Sequence, residues 1–479
     1  MMAMPMRCRW LPLFQLSLLL IGAILSPGSD TSIVVVAAFS VTQQTIIFPR
    51  KTQSRSGGIG SRGLLSSTDW QRSTSTSTRL DAGKELDATC VLRKKIGKQD
   101  MSFSYKATTL ELPDEGSAVV NDDDDDDNND TSPPLGILLI HPIGVGIAKW
   151  YYERLLEQLS LRWKNDDRIS RSATVLVPDL LASGSASEAT VGNEHDQTEP
   201  TIVKKLPLIT VTDWTEQMMQ LIDQFEKSNM SNKEDTDAKP MRWCVVSNGG
   251  CVPVALSVAA ALETDRPGLL ESVVLSSPPS LPALLRDAPR PEKVQKSYRT
   301  LSGLVGKIFW WYALRRDGRF VEKFSQKNLA ADPANFGPDW TKQCVDTCKE
   351  TPKSRFSTFA FLAGALQTDC RPALDMLRNQ RPTIDVILGS DRRRNPARSW
   401  FWSKRKPATS TPEDEQDEDQ QDQGQDQQVQ RLPETVSLAQ YLDENGNRGR
   451  EARVGGRRCP AYEDAEGFAE AMIGFIIRD

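Results

Sequence analysis

Histidine is nearly absent: the 479-residue chain holds two, His141 and His195. Chemistry that needs an imidazole must draw on one of them, and a His-rich metal site is excluded. After residue 50 no apolar run approaches the roughly 20 residues that cross a bilayer, so no transmembrane span is expected in the mature chain. With 59 basic and 64 acidic side chains and a net charge of −5, a nucleic-acid footprint over the whole chain is not expected. The 8 cysteines include no CxxC pair, which fits a reducing interior and no metal. Cys8 and Cys90 are expected outside the folded body, and Cys344 and Cys348 on one buried helix face. Gly144-Val-Gly146 is too short to cradle phosphate and lacks both a P-loop lysine and dinucleotide spacing, so no cofactor is expected.

Local bias is strong where the totals are bland. Arg7 and Arg9 precede an apolar run from Trp10 to Leu25, the pattern of a secretory signal or short anchor. From Thr31 to Arg79 the only acid is Asp69, against six basic residues in a Ser/Thr-rich stretch. A signal followed by such a stretch resembles the bipartite presequence of algae with complex plastids, with Ala38-Phe39 at the cleavage region. That resemblance implies a plastid location; an ordinary signal peptide into the secretory pathway is the alternative. Asp122 to Asp127 is an unbroken aspartate run, and 16 of the 18 residues from Glu413 to Gln430 are Glu, Asp or Gln. Like-charge repulsion predicts solvated loop insertions at both, with a softer one from Ser183 to Pro207 around His195.

The remainder alternates strand and helix. Met101 to Leu112 alternates as one or two antiparallel strands. Leu135-Gly-Ile-Leu-Leu-Ile140 is continuously apolar, as in a strand covered on both faces. Further strands are predicted at Ala173 to Val177, Trp243 to Val246, Ser272 to Leu275 and Thr383 to Leu388, and a last helix from Glu463 to Ile477. Strands separated by helices imply an α/β fold with a mostly parallel sheet. Between Pro278 and Pro372 only helices are read, rich in aromatics, as an inserted lid.

His141-Pro-Ile-Gly-Val-Gly146, Val177-Pro-Asp-Leu-Leu-Ala-Ser-Gly184, Val245-Val-Ser-Asn-Gly-Gly-Cys251 and Leu275-Ser-Ser-Pro-Pro279 occur in this order. Together with the strand order they resemble the α/β-hydrolase superfamily over roughly Met101 to Asp479. HPIGVG, PDLL, TDWTEQ and FLAGALQTDCR are similar to a cyanobacterial and plastid subgroup. The resemblance implies an oxyanion loop at His141, Ile143, Gly144, Val145 and Gly146, a strand-to-helix elbow at 247–251, and a small apolar or ester/carbonyl ligand. Residues 1–39 read as signal peptide and 40–98 as transit peptide or disordered linker. The core halves are 99–282 and 373–479, with acidic loop 121–132, polar insertion 183–207, lid 283–372 and insertion 403–434.

Serine hydrolases of this type need a nucleophile at a G-x-S-x-G elbow, a late His as base and an acid to orient it. Flanking apolar residues align Gly249 with the nucleophile, followed by Gly250; a two-residue shift restores Ser247 but puts Val where Gly is wanted. Gly456 is followed by Arg457 and Arg458, so Arg458 stands where the base belongs, and arginine stays protonated. Asp391 matches the acid. Two degenerate positions, Gly249 and Arg458, imply a pocket without standard hydrolysis. The alternatives are an atypical esterase using Ser247 with His141 as displaced base, and a non-catalytic scaffold.

Overall fold

A computed structural model describes residues 83–96, 99–112, 133–169, 171–192, 200–231, 239–310, 318–378, 380, 382–390, 437–444 and 449–477. His195, Asp391, the presequence to residue 82, the acidic loop 121–132 and the insertion 403–434 lie outside the described residues.

The chain opens with an antiparallel hairpin of β1 (Lys84–Ile96) and β2 (Gln99–Leu112). Then come β3 (Leu135–Ile140), β4 (Ala173–Pro178), two short strands β5 (Ala189–Val191) and β6 (Thr201–Ile202), β7 (Arg242–Asn248), β8 (Leu270–Ser276), β9 (Thr383–Ser390) and β10 (Glu451–Gly455). They form one mixed sheet in the order β10-β9-β8-β7-β3-β4-β2-β5-β6, with β1 also on β2. The six strands β3, β4, β7, β8, β9 and β10 run parallel to their neighbours among themselves. Parallel neighbours require crossovers, and helices supply them. These are α1 (Glu153–Asn165) after β3, α2 (Val211–Ser231) before β7 and α3 (Val252–Asp265) after it.

All elements described between β8 and β9 are helical. They comprise α4 (Leu281–Leu284), α5 (Pro291–Leu301), α6 (Leu304–Phe309), α7 (Arg319–Asn328), α8 (Pro338–Glu350), α9 (Arg355–Ala363) and α10 (Arg371–Arg378), with short 3-10 turns between. The chain ends through α11 (Leu438–Glu444), α12 (Pro460–Glu463) and α13 (Ala465–Ile476).

All six residues of β3 are buried. Successive side chains of a strand point to opposite faces, so Ile137 and Leu139 join α1 and α13 on one side. Leu138 and Ile140 join α2 and α3 on the other. β3 has β4 on one side and β7 on the other, so the chain first builds outward one way and then reverses. In open α/β sheets ligands bind at such switch points, between the loops that leave the carboxyl ends of the strands. Those loops begin at His141 and Gly249.

Two sequence expectations are corrected here. The stretch 40–98 is not linker throughout: residues 84–96 form β1, where Ala88, Cys90 and Leu92 are buried and the intervening residues face solvent. Cys90 is therefore inside the folded body. The signal was a period of two carried by small residues among charges, too weak in apolar mass to stand out. The segment 183–207 is also not a simple solvated loop: Ser183, Ala186, Ser187, Ala189 and Leu206 are buried, and β5 and β6 extend the sheet edge.

The C-terminal elements are tied to the sheet by Asp385 of β9, whose side chain is fully buried. Its Oδ1 accepts from the Arg450 backbone N–H at 2.9 Å and from Arg450 Nε at 3.3 Å, and Oδ2 accepts from Thr383 Oγ1 at 3.1 Å. Arg450 also donates to the Gly474 carbonyl at 2.9 Å and to that of Phe475, at the C-terminal end of α13 where cations are favoured. Asp385→Asn removes a buried charge that is paired with a partly exposed arginine, while keeping the side chain's shape. The variant is expected to lose about 2 kcal/mol in a urea titration, with an unchanged m-value.

Candidate functional site

The β3 exit loop is built on His141, whose side chain is fully buried. The Leu180 backbone N–H, which can only donate, reaches Nε2 at 3.1 Å. Nε2 is therefore the acceptor, and the proton sits on Nδ1, which donates to the Pro142 carbonyl at 3.0 Å. Burial lowers the pKa of His141 below its ordinary value, with the Asp179 charge and the Pro142 bond opposing. The imidazole is a neutral staple between two loops. This corrects the displaced-base expectation: neither nitrogen is free to take a serine proton.

The partner loop leaves β4 at Asp179, whose carboxylate accepts from the Lys149 N–H at 2.8 Å, the Ser185 N–H at 2.8 Å and Ser185 Oγ at 2.7 Å. Gly184 lies against this carboxylate with φ +46; a Cβ there would meet the Asp179 carboxyl at 2.5 Å. From α2, Gln217 clasps the same turn, accepting from the Leu181 N–H at 2.9 Å and donating to the Asp179 carbonyl at 2.8 Å. Trp214 Nε1 donates to the Leu181 carbonyl at 3.1 Å. These contacts explain why PDLL and TDWTEQ occur together: one is the turn and the other its clamp.

β7 ends at Asn248, and a 3-10 turn from Gly249 to Cys251 leads into α3. Gly249 has φ +59, in the left-handed region that glycine adopts without strain. A Cβ at Gly249 would meet no described atom within 4 Å outside its chain neighbours, so the tip of the turn faces open space. Beside it, a Cβ on Gly250 would come within 3.0 Å of Phe361 from α9, and Phe361 is 39% exposed.

Ser247 sits differently. It lies within β7, paired with Ile140 and Leu275 in the central strands, and is completely buried. Alternation puts it on the Trp243 and Val245 side, toward α2 and α3, rather than at the tip of the turn. Its Oγ has no hydrogen-bond partner among the described residues. Cys251 is also fully buried, and burial pushes its thiol up to about 12 against the effect of a backbone bond from Ile143, so thiolate is scarce at neutral pH.

The helical block presses on the β3 loop. Thr358 Oγ1 donates to the Gly144 carbonyl at 3.1 Å, and Trp150 Nε1 donates to that of Gly146 at 3.1 Å. Gly146 has φ +68, and a Cβ there would fall 2.0 Å from the Cys344 carbonyl, so only glycine fits beneath α8. Ile143 is buried, whereas Gly144 and Val145 are half-buried.

The loop after β10 holds Gly456, Arg457 and Arg458. Asn248 Nδ2 donates to the Arg458 carbonyl at 3.0 Å, while its Oδ1 accepts from Ser276 Oγ at 2.7 Å. Gly249 and Arg458, 209 positions apart in sequence numbering, are thus linked through one asparagine. The Arg458 side chain is exposed. Neither Asn248 nor Gln217 was singled out from sequence; a polar residue in an apolar strand end, and a glutamine at the fourth place after Asp213, were the available signals. A cleft of about 350 Å³ elsewhere, lined by residues including Trp150, Arg154, Lys342 and Tyr462, involves none of the expected pocket residues. Among the described residues no group of three or more His, Cys, Asp or Glu side chains could hold a metal.

The strand order, the parallel crossovers and the turn between β7 and α3 define the α/β-hydrolase fold. Solved structures similar to the chain include a peroxisomal alpha-beta-hydrolase from Saccharomyces cerevisiae, with 13% identity, covering 83% of this chain and 89% of that one at a TM-score of 0.45. A thermophilic esterase from Thermogutta terrifontis has 11% identity, with 82% and 98% covered and a TM-score of 0.41. The haloalkane dehalogenase DatA from Agrobacterium tumefaciens has 12% identity, with 83% and 98% covered and a TM-score of 0.41. No family model matches the chain, and no curated protein does.

Proposed function

We propose that this protein uses the crevice above Gly249 to bind a small apolar or carbonyl-bearing ligand and does not carry out Ser-His-Asp hydrolysis. The observation that carries the reading is the elbow itself: the residue at the tip of the strand-to-helix turn is a glycine facing open space. Three further facts support it. Ser247 is sealed inside the sheet, both nitrogens of His141 are committed to backbone groups, and an arginine follows β10. Without nucleophile and base, only binding and oxyanion effects remain, about 10³ to 10⁴ over water in the best-studied triad enzyme. The plastid location is part of the same proposal and rests on the presequence resemblance alone; import of a fluorescent protein fused behind residues 1–80 tests it.

A fluorophosphonate probe incubated with the full chain is expected to leave it unlabelled. Tryptophan fluorescence titrations with short-chain fatty acids and their esters are expected to saturate. Labelling lost in Ser247→Ala would establish the esterase alternative. Absence of both labelling and saturable binding would leave the scaffold.

A further inference from the structure

The helical block carries an apolar surface with nothing described against it. In α6, Leu304 is 73% exposed, Ile308 51% and Val305 39%, an unusual concentration on two helical turns. Positions 304, 305 and 308 fall on one side of a helix, and the opposite side is seated at the buried Gly306, where a Cβ would fall 1.5 Å from the Leu301 carbonyl and 3.1 Å from the Phe359 ring. The preceding helix α5 buries Val294 and Tyr298 and turns Lys293, Lys296 and Arg299 outward at three-residue spacing. Lys307 is exposed within α6 itself. From Arg290 to Lys327 the sequence has ten basic side chains and three acids, Glu292, Asp317 and Glu322, in a chain of net charge −5. Among the described residues of this stretch, Lys293, Lys296, Arg299 and Lys307 are the exposed basic side chains of α5 and α6.

Exposed aliphatic side chains beside a basic stripe match a bilayer surface: the apolar groups enter the boundary between headgroups and acyl chains, and lysine and arginine meet lipid phosphates. A water-facing patch of this kind on a monomer marks an interaction site. No described helix is long and apolar enough to cross a membrane, which fits a surface element. We propose that α5 and α6 dock this protein onto an anionic bilayer, with Leu304, Val305 and Ile308 inserted and Lys293, Lys296, Arg299 and Lys307 at the headgroups.

The seven described cysteines are all buried, so Ile308→Cys in the full chain, on a Cys8→Ser background, takes an environment-sensitive fluorophore at one exposed place. Adding vesicles with 30% phosphatidylglycerol is expected to blue-shift the emission, and pure phosphatidylcholine is not. In 0.5 M salt the vesicle concentration for half-maximal shift is expected to rise about tenfold or more, as is that of Lys296→Glu with Arg299→Glu. Sedimentation with the same vesicles reports Leu304→Ser with Ile308→Ser, expected to bind about tenfold more weakly with an unchanged melting temperature. The inference is overturned by an unshifted probe on anionic vesicles, by equal shifts on neutral ones, or by unaltered sedimentation of the serine variant. Concentration-dependent dimerisation abolished by those serines would overturn it in favour of a contact between copies of the chain.

Discussion

Gly249→Ser combined with Arg458→His is expected to create fluorophosphonate reactivity where the parent chain has none. The serine has room, because a Cβ at Gly249 meets no described atom within 4 Å outside its chain neighbours. The φ of +59 costs a non-glycine residue about 1–2 kcal/mol, which the surrounding sheet and helix can hold. Histidine at 458 has a fixed backbone, since Asn248 Nδ2 binds its carbonyl and its N–H donates to Leu329. An exposed arginine can be exchanged there without opening the core. Gly249→Ser alone supplies an unactivated alcohol, and Arg458→His alone a base with nothing to deprotonate. The pair is expected to label about 10² to 10⁴ times faster than Gly249→Ser alone, the usual contribution of a positioned base. Equal labelling of the single and double variants would show that the loop after β10 does not face the elbow. Labelling of the parent chain would overturn the reading of the site altogether.

Fold and site were legible to different degrees. β3 announces itself as a continuous apolar run, the mark of a buried parallel strand, and β7, β8 and β9 by shorter apolar stretches at Val245-Val246, Val273 to Leu275 and Val386 to Leu388. β1 does not, because its inward residues Ala88 and Cys90 are small and its outward face mixes charged residues with Thr89 and Val91. The place of the strand-to-helix turn, Gly249 to Cys251, was legible from flanking residues, since strand and helix lengths pin the turn between them. The role of His141 was not. Its tautomer is set by the N–H of Leu180, 39 residues away, and backbone donors leave no trace in a sequence pattern. The Gln217 clamp on the Asp179 turn escaped for the same reason: its partners are main-chain groups, so TDWTEQ looks like a surface helix start until the turn is folded against it.

His141→Phe is the sharpest check that this imidazole holds the fold rather than serving chemistry. Phenylalanine keeps a ring in the space but removes both hydrogen bonds, leaving the Leu180 N–H and the Pro142 carbonyl buried without partners. Each orphan costs about 1–3 kcal/mol, so a loss of about 2–6 kcal/mol is expected in a denaturant titration at pH 7.5. A second signature is pH. Burial holds the folded-state pKa of His141 below its ordinary 6.5, so the unfolded chain binds the extra proton first as pH falls. The stability from keeping it neutral is complete above about pH 6.5 and drains by about 1.4 kcal/mol per pH unit below it, until the folded-state value is reached. As pH falls below 6.5 the parent chain is therefore expected to lose more stability than His141→Phe does. An equal loss in His141→Phe would mean that the staple is not the buried titrating group, and a loss of ligand binding without loss of stability would return His141 to the chemistry of the crevice.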